Sequence, residues 1–409
     1  MQLEIPLTRS TAEGTISGQE ELINIYPVKS DSKKYGYVLK GSPGLAFFTE
    51  LPTMPVRALH RLDDRLFAIT STNMYEVFKS GQYVDLGILD FRNERVVTAS
   101  NGIQIMMVDG RKTFYYDIEL DVLNEIVPDG NPPTHVTYQD GYFILNRTGT
   151  SQFYISGLLS IEFDALDFAT AEGSPDGLLA VVSSHRELFM MGVDTIEVYY
   201  NSGNPLFPFE RNSSAFIEKG IASPYSIAKI NNTIYYVGSD LIVYVMNGYT
   251  PTRVSNNAVE LSLQDVDISD AFAYSYHDEG NLFYVLTIPA QKTTWCLDVN
   301  TGAWHKKKDY NFDRHRSNCS TFVFGKTLVG DFQSGRLFQM SLDHYLDDGS
   351  PLVREFTLPT VNQGREFMTV DSIELDMSCG VGEGIGQASD PVARMQFSKD
   401  SGKTYSNIK

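Results

Sequence analysis

Short apolar runs separated by polar turns recur along the chain, and within many of them apolar and polar residues alternate. Alternation marks a strand with one covered face, and a short unbroken apolar run marks a strand covered on both. The recurring unit is a polar turn, a short apolar strand, a second turn and an alternating strand. It reads DDRLFAITSTNMYEVF from Asp63, NGIQIMMVDGRKTFYYD from Asn101 and DGYFILNRTGTSQFYIS from Asp140. It continues as HRELFMMGVDTIEVYY from His185, NNTIYYVGSDLIVYVMNG from Asn231, EGNLFYVLTIPAQKTTWCLD from Glu279 and FGKTLVGDFQSGRLFQM from Phe324. An anchor follows the first turn of each unit: Leu66, Ile103, Tyr142, Leu188, Ile234, Leu282 and Leu328.

Successive anchors lie 37 to 48 residues apart, which is the period of a four-stranded propeller blade. One such blade cannot bury both of its faces alone, and stacking blades around an axis hides them while leaving few free edges. The spacing predicts an all-β chain, a β-propeller of about seven four-stranded blades over residues 54–361. Six blades with an irregular closure, or two β-sandwiches with evenly spaced hairpins, are the alternatives. Residues 1–53 do not fit the blade pattern and are expected to form an arm around the ring or a closing strand. Residues 362–409 read as a small separate β segment that includes MTVDSIELDMSCG and a hairpin, ARMQFSKDSGKTYSN.

Charge narrows the function. Lys and Arg number 33 against 51 Asp and Glu, a net charge of -18. A surface so acidic argues against broad phosphate-backbone binding and against adsorption to anionic membranes. The three cysteines, Cys296, Cys319 and Cys379, have neither the number nor the spacing of a disulfide scaffold or a zinc site. The first residues lack the charged and apolar regions of a secretory signal, and no apolar run is long enough to span a membrane. The Asn-x-Ser/Thr matches at Asn146, Asn212, Asn231 and Asn318 are therefore read as chance, and the protein as one made in the cytoplasm.

Candidate chemistry is sparse. Ser398 to Tyr405, SKDSGKTY, fits the Asp-box of sialidase-type propellers. In that motif Ser398 and Asp400 satisfy turn amides, Gly402 supplies a positive φ, and Tyr405 packs beneath the hairpin. It marks a hairpin rather than an active site. Sialidase chemistry also needs an arginine cluster, and no arginine recurs at a regular blade position. His60, His135, His185, His277, His305, His315 and His344 lack metal-ligand spacing and read as solvated loop residues. Lys306, Lys307, Lys308, Arg314 and Arg316 form the one basic concentration, read as an exposed loop that keeps a strand edge soluble, the alternative being a face for an acidic partner or a DNA phosphate backbone. The loop GVGEGIGQ at 380–387 does not open a helix and is no phosphate cradle. In the central strand, Thr195, Glu197 and Tyr199 fall on one face, read as polar, and Ile196, Val198 and Tyr200 on the other. Glu197 is read as solvent-facing or paired across strands. No catalytic, cofactor-binding or metal-ligating residue is assigned, and the chain is not expected to be an enzyme.

Several short motifs nonetheless point to a family. They are N-x-Y-P-V at Asn24 to Val28, S-P-G-L at Ser42 to Leu45, and P-D-G at Pro175 to Gly177. Gly192 to Tyr199, G-x-x-T-I-E-x-Y, and KGIAS at Lys219 to Ser223 complete the set. In this order the sequence resembles the packaged-DNA stabilisation proteins, the tail hub or tail accessory factors of short-tailed phages. The family usually continues past the 398–405 hairpin into further strands, and this chain departs from it there. The resemblance implies a structural virion protein in the tail: a homo-oligomer, as a hexameric ring, below the portal and its adaptor. It would retain packaged DNA, letting it pass through the channel without sequence-specific binding, and would anchor tailspikes and a tail needle. No cofactor or membrane is implied. The other readings are a carbohydrate-active (sialidase-like) propeller and a non-enzymatic receptor- or glycan-binding propeller on the tail.

Overall fold

Each recurring unit contributes to one sheet built on four antiparallel strands, and seven such sheets follow one another along the chain. The computed structural model describes residues 21–30, 36–90, 95–128, 130–171, 176–358, 369–377, 392–400 and 404–408. The first strands of the seven sheets are Val56–Leu62, Val97–Ser100, Val136–Gln139, Leu178–Ser184, Ala228–Ile230, Phe272–Asp278 and Ser317–Val323. They line the axis, and the last packs against the first. The protein is a seven-bladed β-propeller.

The core shows why the blades need one another. It divides into seven clusters, one at each blade–blade interface. Phe67, Ile69, Ile105 and Met107 fill the gap between blades one and two, and Met106, Val108, Phe143 and Leu145 that between two and three. The series runs on around the ring. It ends with Leu66, Tyr75, Leu328 and Leu337 between blades seven and one. Within a strand, alternate residues serve different interfaces. In Glu187–Gly192, Leu188 and Met190 face blade three while Phe189 and Met191 face blade five. That is the physical origin of runs such as LFMM, since a strand covered on both faces has no polar side to alternate with.

Six of the seven anchors lie in the second strand of their blade. Ile103 is the exception. It sits in the turn before Gln104–Val108 and is 44% exposed, and Ile105 takes the buried place. A second correction concerns the central strand Ile196–Asn201. The face read as polar is covered, because Tyr199 enters the cluster between blades three and four while Ile196 and Val198 enter that between four and five. Tyr200, placed with the apolar residues, is exposed.

Ring closure uses both parts of the chain. Blade seven takes only three strands from its own unit, and its fourth is Gly44–Glu50. That strand pairs antiparallel with Arg336–Ser341 from Arg336 opposite Glu50 to Ser341 opposite Gly44. Leu346–Asp347 and Ser350–Pro351 then cover its outer edge. Blade six is likewise extended by Leu22–Ile23 and Glu355–Phe356. Blades one to five end on their own fourth strands. One short helix, Asn257–Leu263, buries Ala258, Val259 and Leu263 between blades five and six.

Candidate functional site

The motif residues that the structure describes lie at joints, where one stretch of backbone crosses another. Asn24 is the first. It is buried with φ 53°, a conformation asparagine tolerates better than most residues. Its side-chain amide donates to the Lys308 carbonyl at 2.8 Å and the Val353 carbonyl at 2.9 Å. Its side-chain oxygen accepts from the Lys308 amide at 3.0 Å. One residue thus pins the arm to the end of blade six and to the segment that returns over it. Two positions on, Tyr26 is fully buried, stacked on His305 and edge-on to Phe283. Ser42 continues the joint, donating its amide to the Asn24 carbonyl and accepting from Arg354.

The central motifs make a second joint, between blades four and five. Asp176 accepts from the amides of Asp194 and Thr195 at 2.7 and 2.8 Å. Its carboxylate occupies the place of a side chain at position 192, where a Cβ would stand 2.5 Å from Asp176 Oδ2. A Cβ on Gly220 would overlap the Val193 carbonyl. Both glycines permit close approach of backbone to a neighbour. Glu197, 2% exposed, is paired with Arg211 on the adjacent strand at 2.9 Å. It is cross-strand paired, as one of its two readings had it, but within an interface. Ser174 and Pro175 lie outside the described residues.

The basic concentration is the largest departure from the sequence reading. Lys307, Arg314 and His315 are buried, and so are His305 and His135. Of the histidines, His185 is an exposed turn residue, whereas His277 is exposed but lies within the strand Phe272–Asp278 and not in a loop. Most of the cations are committed to local partners. Lys306 pairs with Glu21, Lys308 with Asp313, and Arg316 with Asp331 and Asp348. The Arg314 guanidinium lies over Phe332 at 4.2 Å and over Phe272 at 5.4 Å. Arg95 lies over the same Phe272 ring at 3.5 Å and donates to the Asn318 side chain at 2.7 Å. Cations over aromatic faces can be buried at modest cost. These residues come from the approaches to blades two, six and seven, so the cluster is another joint. Sequence spacing could not reveal it, because Arg95 and Arg314 meet only through the closed ring.

Burial shapes the titration of this region. It pushes the Asp347 carboxyl up to about 7, against the pull of Lys307 and with Asp309 adding to the rise. It lowers the Lys307 ammonium, which Cys296, Asp347 and Asp278 partly offset. Burial also holds His135 down to about 4 and His315 well below the ordinary range. In the window between 3.8 and about 7 the folded protein keeps a proton on Asp347 that the unfolded chain has lost. The folded state is therefore penalised progressively as pH rises through that window. His60 and His135, lowered to about 4, act with the opposite sign, so the comparison must be made against a variant. Asp347→Asn is expected to gain melting temperature relative to the wild type between pH 5 and pH 7.5, by a few degrees. Parallel melting curves over that range check it, and a constant difference would count against a buried, protonated Asp347.

The Asp-box hairpin forms the bonds its sequence predicts. Asp400 accepts from the Thr404 amide at 2.8 Å and from the Ser398 hydroxyl at 2.7 Å, and the Ser406 amide donates to the Phe397 carbonyl. Tyr405 is 46% exposed, however, and is not packed beneath it. Gly402, Cys379 and the loop at 380–387 lie outside the described residues. Among the described residues, no group of three or more His, Cys, Asp or Glu could hold a metal ion.

Comparison with known proteins follows this geometry. No curated protein matches the chain. Among solved structures, an extracellular domain from B. thetaiotaomicron aligns with TM-score 0.50 and 8% identity, covering 78% of this chain and 46% of that one. The WD40 repeats of RRP9 align with TM-score 0.48 and 8% identity, covering 73% of this chain and 98% of theirs. At such identities the first likeness speaks to the fold alone, and the second carries no argument. The family model described as "Bacteriophage P22 Gp10, beta-propeller" matches residues 12–345, a span that holds every family-motif residue named above. This chain belongs to that phage stabilisation family, a family of structural β-propellers.

Proposed function

We propose that this protein is the structural tail hub of a short-tailed phage. In this reading it closes the portal–adaptor channel, retains packaged DNA, and anchors tailspikes or a needle as a hexameric ring. The observation that carries the reading is the match of a phage structural propeller family across residues 12–345. The geometry supports it. The motif residues are spent on joints and closure rather than on an open cavity, as expected of a part that must hold its shape under load. A net charge of -18 suits a wall past which DNA slides, since like charge disfavours adsorption. The same charge makes copies repel, so the ring is expected to assemble on the portal–adaptor complex as a template. The protein acts here as a scaffold and not as an enzyme.

Particles that lack the protein are expected to package DNA and then lose it. Nuclease sensitivity of the genome in such particles is the measurement. Stable, protected DNA would sink the retention role and favour a receptor-binding propeller on the tail.

A further inference from the structure

The rim of the propeller is not uniform. Blades six and seven have extra strands over their outer edges, whereas Val122–Ile126 of blade two and Phe163–Thr170 of blade three each end their sheet. Between these two edge strands runs a groove of about 730 Å³, lined by Tyr115, Ile126, Val127, Ile161, Glu162 and Phe163. Its rim is apolar for a soluble surface, with Val127 85% and Leu166 82% exposed. It is also acidic on balance: Glu162, Asp164 and Asp167 stand on the third blade's side, with Arg147, which lies over Phe168 at 5.5 Å, as the basic residue beside them. Unpaired strand edges beside an apolar groove suit an extended segment that adds itself as a strand, with alternate side chains entering the groove.

The same chain carries a segment of matching character. Residues 392–409 contain Arg394, Lys399, Lys403 and Lys409 against the single acid Asp400, a basic stretch in a chain of net charge -18. Ala393, Met395 and Phe397 alternate with Arg394 and Gln396. The hairpin is held by the Asp400 bonds and the Ser406–Phe397 pair, yet Met395, Phe397 and Tyr405 are all more than 40% exposed. A two-stranded hairpin with its apolar side chains in water is marginal alone and gains stability by joining a sheet.

We infer that the groove between blades two and three is the seat of the 392–409 hairpin of a second copy of this chain. Val392–Phe397 adds to a strand edge, Met395 and Phe397 enter the groove, and Arg394 meets Glu162. The inference deepens the hub reading, on whose multi-copy ring it rests, by giving that ring a subunit contact. Long-range repulsion between acidic copies and short-range attraction at this seat are compatible, because at about 0.15 M salt charges are screened beyond about 8 Å.

The test uses full-length protein with Cys379 replaced by Ser, at physiological salt. Val127→Cys and Met395→Cys are made in separate copies, and the two proteins are mixed under mild oxidation. A disulfide-linked dimer is expected several-fold above the yield of either variant alone. Adding Glu162→Lys to the Val127→Cys copy should abolish it, and Arg394→Glu in the Met395→Cys copy should restore it. A mixture no better than its single components would overturn the inference. So would a chain carrying both Val127→Cys and Met395→Cys that cross-links only within itself, or a yield that ignores the charge reversal. Because the readout is made on purified protein, failure here is separate from retention or loss of DNA in particles.

Discussion

Protein that begins at Met54 is expected to be insoluble, although every repeated unit is still present in it. The truncation removes Gly44–Glu50, the fourth strand of blade seven. Arg336–Ser341 is then left as an open, flat edge, the feature that seeds association between sheets. It also removes Tyr26 and Leu45 from the cluster between blades six and seven, where both are fully buried. Deleting a large buried side chain costs about 3–5 kcal/mol for an aromatic and about 2–5 kcal/mol for a leucine. Together these approach the whole stability of an ordinary domain, about 5–15 kcal/mol. A ring also has no way to spread the loss, because its last interface forms only if the closing strand is in place. Soluble yield and thermal melting of protein starting at Met54, beside protein starting at Glu21, are the measurements. A truncated protein that stays soluble and melts like the longer one would show that the strand pairing does not hold the ring shut.

The second large effect is expected from Ile196→Asp. Ile196 is fully buried between blades four and five, among Ile217, Ile221 and Tyr236. Burying a carboxylate there without a partner costs several kcal/mol, paid as a raised pKa or as unfolding. The neighbouring Glu197 shows what the fold requires of an acid at this depth: it faces the other interface and is met by Arg211 at 2.9 Å. Asp at 196 would point away from that arginine. The variant is expected in the insoluble fraction, while Ile196→Val, which keeps the apolar face, should cost only about 0.5–1.5 kcal/mol and stay soluble. A soluble Asp variant with an unchanged melting temperature would mean that this face is open.

Blade spacing was legible in the sequence because it depends on local turns: Asp63, Asp140 and Asn231 all take positive φ in the hairpin turns that set the period. What was not legible depends on contacts between distant parts. The face of Glu197 read as polar because alternation in a strand normally separates core from solvent. In a propeller both sides are core, and a charge can lie inside if its partner is one strand away. Lys307, Arg314 and His315 read as an exposed basic loop for the same reason. Arg314 is covered by Phe272 and Phe332 and Lys307 by Tyr276, and no short window along the chain contains that information. The motifs at Asn24, Tyr26 and Ser42 were recognisable by resemblance, but what they do, pinning the arm across the last two blades, appears only in three dimensions.

That arm has a consequence for the protein's birth. Asn24 bonds to Lys308, 284 positions further along, so its partner does not exist when it leaves the ribosome. At about 5–20 residues per second, the wait lasts roughly 15–60 s. During that interval the early blades can stack in order as each is finished, while Tyr26 and the strand Gly44–Glu50 have nowhere to go. The nascent chain therefore carries an apolar, strand-forming end in the open until the final unit is made. A chain-terminating mutation anywhere before Ser341 leaves that end unhoused for good, and the truncated product should be a substrate for chaperones and proteases rather than a smaller propeller.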